Sequence, residues 1–130
     1  MALAVDARGA CLCGGVTFEL SGPPEAVLKC YCDHCQKNAG GPFQIVARYD
    51  KNLVSVKTGQ DLLTQYRLTD TQSGSPKYKV FCRTCGCTLW TVPTKHGDVF
   101  RVVRVSLIEG GLKRFRPEKA LFEERKVHDY

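Results

Sequence analysis

No stretch of about 18 or more apolar residues occurs in the 130-residue chain, which excludes a membrane-spanning helix. The opening segment, MALAVDARGACLCGG, has no basic cluster leading into an apolar run, so no secretory signal is read there. Long like-charge tracts and low-complexity stretches are missing as well. With 43% hydrophobic residues, that argues against wholesale disorder. Helix signals are few, no linker divides the chain, and the cysteine motifs are the only internal repetition. The length suits one compact domain with a core, spanning 1–130, and not two.

Against these absences stand eight cysteines and a formal charge of +6. A chain with neither signal nor span is expected in the reducing cytoplasm. Cysteines there serve more often as metal ligands or catalytic thiols than as disulfides.

Runs at 16–20, 43–49, 53–56, 62–68, 78–81, 88–92 and 99–107 are rich in Val, Phe, Tyr, Thr and Leu and read as strands. Turn formers separate them, among them Ser21-Gly22-Pro23-Pro24, Asp50-Lys51-Asn52 and Glu109-Gly110-Gly111. Short turns of helix are expected at 24–28 and 32–39. Consecutive strands with brief links predict a mainly β, antiparallel domain of about 9–115, whose uncovered strand edges make a homodimer reasonable.

The cysteines form three clusters: Cys11-Leu12-Cys13-Gly14, Cys30-Tyr31-Cys32-Asp33-His34-Cys35, and Cys82-Arg83-Thr84-Cys85-Gly86-Cys87. CxC and CxxC spacings suit a metal because a tight turn after the first ligand aims the second thiolate, and backbone amides, into the same concavity. Gly14 and Gly86 fit such turns, since glycine accepts positive φ without a Cβ penalty. Cys11 and Cys13 with Cys82 and Cys85 would make a closed structural site of four thiolates. Cys30, Cys32 and Cys35 then stand alone, and three protein ligands with an open position is the pattern of a catalytic zinc. Spacing does not settle the partners: the central cluster can instead recruit Cys87, His34 or another histidine into a second structural site, or remain metal-free as reactive thiols. Cys87 is the odd thiol and reads as a small buried hydrophobe.

At these residues the sequence resembles the glutathione-dependent formaldehyde-activating enzyme family, which includes centromere protein V-like domains. The likeness runs from Gly9 to about Phe115. It rests on Cys11-Leu12-Cys13-Gly14-Gly15-Val16-Thr17-Phe18, on the central cluster followed by Ala39-Gly40-Gly41-Pro42-Phe43, and on Phe81-Cys82-Arg83-Thr84-Cys85-Gly86. The resemblance implies a mainly β fold of the β-tent type with few short helices and two zinc ions. Position by position, it assigns Cys11, Cys13, Cys82 and Cys85 to a structural zinc and Cys30, Cys32 and Cys35 to a second zinc linked to catalysis and thiol binding. Two positions depart from the family pattern: Tyr31 stands where His is common, and Gln36 where Arg is common. The second change removes a permanent cation beside the thiolates.

The resemblance further implies a carbon-sulfur lyase of the S-(hydroxymethyl)glutathione synthase kind, acting on glutathione or its adduct with an aldehyde or other electrophile. The other reading is a non-catalytic zinc-binding interaction module like the centromere-associated relatives. His34 is the better proton carrier within the central cluster and Tyr31 the weaker; Gly40-Gly41-Pro42-Phe43 is expected to wall the pocket. His96 and His128 read as solvent-exposed, and Trp90 as core or pocket wall. Arg101, Arg104, Lys113, Arg114 and Arg116 would furnish a basic patch for nucleic acid or an anionic ligand. Seven bound thiolates and two Zn²⁺ would lower the formal charge to roughly +3, which weakens the case for nucleic acid.

Overall fold

The computed structural model describes residues 4–129, in which strands dominate and helices are short. A small antiparallel sheet has the order β1 (Ala7–Ala10), β2 (Thr17–Leu20), β5 (Val54–Thr58). The larger sheet runs β10 (Lys119–Leu121), β3 (Ala26–Cys30), β4 (Gln44–Asp50), β9 (Phe100–Arg104), β8 (Thr88–Pro93), β7 (Lys77–Cys82), β6 (Leu63–Leu68). Its pairs are antiparallel except β10 with β3, which run parallel at one edge. Two short helices complete the chain, α1 (Asp33–Ala39) and α2 (Gly111–Arg114).

The core lies where the sheets face each other. Along β2 the period-two alternation turns Phe18 and Leu20 inward while Thr17 and Glu19 stay half-buried. Phe18 meets Trp90 of β8 edge to face, with centroids 5.4 Å apart at 90°. Val16, Leu89, Val103, Val105 and Ile108 close in around them. Trp90 is thus a core residue.

Two readings change, and two strands were not foreseen. Residues 24–28 are not a turn of helix: from Ala26 the chain is strand β3, in register with β4 through Val27↔Ala47 and Leu28↔Val46. So short a segment nucleates a helix poorly, whereas β4 and β10 offer ladders on both sides. The apolar run 99–107 leaves the sheet at Arg104; Val105–Leu107 is a single 3₁₀ turn whose buried Val105 serves the core. Strands β1 and β10 lack a distinctive local pattern, because each is short and defined by its partner.

Candidate metal and thiol site

Hairpins build the first cluster. Between β1 and β2 the backbone closes with Cys11 N–H donating to Val16 O (3.0 Å) and Gly14 N–H to Cys11 O (3.1 Å). Between β7 and β8 it closes in the same way, with Cys82 N–H to Cys87 O (3.0 Å) and Gly86 N–H to Cys82 O (2.8 Å). Gly14 and Gly86 take φ of 78° and 74°, as the turns demand. Four sulfurs, from Cys11, Cys13, Cys82 and Cys85, come together within 4.8 Å of one another.

Separations of 3.6 Å for Cys11–Cys13 and 3.8 Å for Cys13–Cys82 are far too long for disulfides. They match the edge of a tetrahedron with zinc–sulfur bonds of about 2.3 Å, which is about 3.8 Å. The amides of Gly15 and Val16 point at Cys13 Sγ (3.4 Å) and Cys11 Sγ (3.3 Å), an environment made for thiolates. Burial opposes ionisation of Cys85, but the N–H groups of Cys87 and Cys13 and the neighbouring sulfurs outweigh it and bring this thiol down to about 6.

The second cluster is carried near the opposite edge of the large sheet, beside β10, whereas Cys82 ends β7 beside β6. Cys30 ends β3, Cys32 is the N-cap of α1, and Cys35 lies in its first turn, so strand end, cap and helix deliver three sulfurs within 4.8 Å of one another. Cys35 N–H donates to Cys32 Sγ at 3.4 Å, making the sulfur itself the helix cap. Hydrogen bonds from the Cys30 and then the Cys35 thiol, with the Cys35 amide and the Lys77 charge, hold Cys32 far below the ordinary thiol value, near 2. Cys35 is pushed the other way, chiefly by the Cys30 and Cys32 sulfurs. The three sulfurs are coupled and lose their protons as one unit.

Cys32 opens on a groove of about 300 Å³ walled by His34, Asp70, Lys77, Phe122 and Arg125. His34 Nε2 lies 3.1 Å from Asp70 Oδ1, which fixes the ring against the groove wall. Lys77, Thr71, Gln72 and Phe122 also line a further hollow of about 370 Å³ that carries Lys95 and Thr94, so the two form one trough. Phe122 stands at their junction with φ of 56°, the lone non-glycine residue at positive φ among the described residues. Held in that strained conformation, it marks a place the fold over-determines.

Other expected residues are placed differently. Tyr31 is buried, with Phe43 5.6 Å away and Lys29 over its ring, and does not line the groove. Gln36 donates from Nε2 to Tyr31 O (2.9 Å) and ties the helix to the strand end. The cation missing at position 36 comes from β9: Arg104 carries its charge beside Cys35 and Cys87. Of the loop 40–43, Phe43 walls a separate cavity of about 390 Å³ with Gln44, Arg104 and Leu112, away from Cys32. Cys87 joins neither sulfur group; it is half-buried against the core.

His96 and His128 are exposed. Arg101 pairs with Asp98 at 2.6 Å and Arg114 with Asp6 at 2.7 Å, so much of the supposed basic patch is engaged within the molecule. Asp70, Lys77, Phe122, Arg125 and Gln44 escaped the sequence reading of the site, which had Arg104 only as part of a basic patch. None carries a local signal, since only the tertiary fold brings them to the cysteines.

Residues 6–125 match the family described as glutathione-dependent formaldehyde-activating enzyme. The chain belongs to this family. A protein of Halomonas elongata, provisionally named a glutathione-dependent formaldehyde-activating enzyme, is 31% identical over 84 residues, which cover 64% of this chain and 54% of the relative. The chain therefore aligns with about half the length of that curated relative. A crystal structure of a Rhodobacter sphaeroides protein superposes with a TM-score of 0.65 over 88% of this chain and 99% of the other, at 24% identity; it supports the fold alone.

Proposed function

We propose that the chain is a zinc-dependent carbon–sulfur lyase, acting on a glutathione-like thiol and its adduct with an aldehyde or related electrophile. The observation that carries this reading is the asymmetry of the two sulfur clusters. One gathers four sulfurs between hairpins; the other offers three and opens through Cys32 on a groove whose wall carries Lys77, His34 and Asp70.

Cys30, Cys32 and Cys35 would hold the second zinc. An ion so held supplies Lewis acidity that favours the thiolate form of an incoming thiol at neutral pH. In the synthetic direction the sulfur–carbon bond forms as the aldehyde C=O π bond breaks, and one proton passes from the thiol to the new hydroxyl oxygen. Cleavage of the adduct moves the same atoms in reverse.

The remaining parts of the step fall to side chains. With His34 Nε2–H donating to Asp70, Nδ1 is the ring nitrogen left to exchange that proton. Lys77 gives the groove positive charge for a carboxylate of a peptide-like thiol, Arg125 being paired with Asp33 of the same groove at 2.6 Å, and Phe122 supplies an apolar wall.

The test is metal stoichiometry by native mass spectrometry, together with thiol–aldehyde turnover in the native chain and in Cys32→Ser. Two zinc ions, with turnover lost in a folded Cys32→Ser chain, are expected. Full turnover in a folded variant lacking the second ion would end the proposal. Two ions with neither turnover nor saturable binding of small thiols would leave the non-catalytic module in its place.

A further inference from the structure

Gln44 begins β4 and is almost fully buried, with its amide between two very different neighbours. On one side Arg104 Nε donates to Gln44 Oε1 at 2.7 Å. On the other, Gln44 Nε2 points at Cys35 Sγ, 3.6 Å away. A second guanidinium nitrogen, Arg104 Nη2, donates to the backbone carbonyl of Asn38 in the last turn of α1. The register of β4 with β9, Val46 opposite Arg104, brings the two side chains together across the sheet.

From this arrangement we infer that Arg104 and Gln44 are positioning residues for the second sulfur cluster: Arg104 fixes the orientation of the Gln44 amide so that its N–H, and not its carbonyl, faces Cys35. The logic lies in donor and acceptor counts. Glutamine is nearly symmetric in shape and presents either end of its amide, whereas a guanidinium donates only. Once Arg104 occupies Oε1, the nitrogen has to turn to the sulfur.

A flipped amide would set a carbonyl dipole against a cluster that, with three thiolates around a divalent ion, keeps net negative charge. The N–H instead draws electron density from the Cys35 sulfur and offsets that charge, as hydrogen-bond donors behind metal ligands do. The bond to Asn38 does related work, tying the helix that carries Cys35 to the sheet that carries Gln44.

The inference rests on the reading that this cluster binds a metal ion, and one set of measurements separates the two claims. The whole chain is titrated with cobalt(II), and the affinity of each site is read by competition with a chelator. The thiolate-to-cobalt charge-transfer band is followed alongside. The wild-type chain should take two ions. In Gln44→Leu the second site should weaken about 10- to 100-fold and its band shift, while the four-sulfur site keeps its affinity as an internal check of folding.

Gln44→Glu retains an acceptor for Arg104, and so the structural link, but presents oxygen to Cys35; it should weaken the second site at least as much. Arg104→Leu should weaken it too, and by less in a Gln44→Leu background, where only its bond to Asn38 is left to lose. Second-site affinity within twofold of wild type and an unmoved band in both Gln44 variants would overturn the inference alone. So would an Arg104→Leu effect equally large with and without Gln44. One ion in the wild-type chain would take down the metal reading and this inference together.

Discussion

Gly59 holds no ligand, yet a methyl group there should weaken the four-sulfur site. The residue follows β5 with φ of 79°, a left-handed conformation that costs an L-residue about 1–2 kcal/mol. Its Cβ would stand 2.2 Å from the carbonyl oxygen of Gly15 and 2.9 Å from Val16 Cα. These are backbone atoms that cannot swing aside like the tip of a side chain, and overpacking of this kind adds about 1–3 kcal/mol.

The collision falls on the segment whose amides point at Cys13 and Cys11, so relief by movement pulls Gly15 and Val16 away from the sulfurs. Gly59→Ala should therefore cost about 2–5 kcal/mol in urea unfolding of the metal-loaded chain. It should also loosen the four-sulfur site in a chelator competition. Gly74→Ala is the control: its φ is 80°, but nothing lies within 4 Å of the added carbon, so only the conformational cost of about 1–2 kcal/mol applies. The difference between the two alanines isolates the collision. Equal destabilisation, with metal affinity unchanged in Gly59→Ala, would refute the argument.

The two clusters should respond oppositely to loss of a ligand. Cys82 is wholly buried in the core, and structural zinc sites of this kind contribute about 10–16 kcal/mol, comparable to or above a domain's stability of about 5–15 kcal/mol. Cys82→Ser should leave the chain largely unfolded by circular dichroism, whereas Cys32→Ser, at the groove, should keep the native spectrum and lose turnover. His34→Ala should lower thiol–aldehyde turnover about 10²-fold, in the range for a lost proton carrier, with metal content unchanged by mass spectrometry. The Tyr49 hydroxyl is buried with no hydrogen-bond partner among the described residues, and burial pushes its pKa up to about 12. Because an unsatisfied buried hydroxyl is costly, Tyr49→Phe should raise the unfolding free energy by about 1 kcal/mol in denaturant titrations; a loss of stability would contradict this.

Much of this was written in local chemistry. Cysteine spacing, with glycine after Cys13 and Cys85, dictates tight turns that aim thiolates and amides inward, and that geometry is the same wherever the turn sits. Alternation of apolar and polar residues likewise marks β2, because a strand half-buried in a sheet has period two. Such reasoning stumbles at 24–28, where a short apolar segment carries no period long enough to distinguish helix from strand. It also stumbles at 105–107, where apolar character reports burial and not sheet.

The sequence by itself determined which cysteines have ligand spacing, that the chain is mainly β, and the family to which it belongs. The tertiary structure decided how open each cluster is and what surrounds it. Arg104, read along the chain as one of several surface cations, is instead anchored beside Cys35, because β9 pairs with β4 in a register that sets it near Gln44. Asp70, Lys77, Phe122 and Arg125 reach the groove at Cys32 from segments 38 to 93 residues further along the chain. Side-chain direction across a sheet depends on long-range pairing, which no local pattern encodes, and so the sulfurs were legible while the groove and the amide behind them were not.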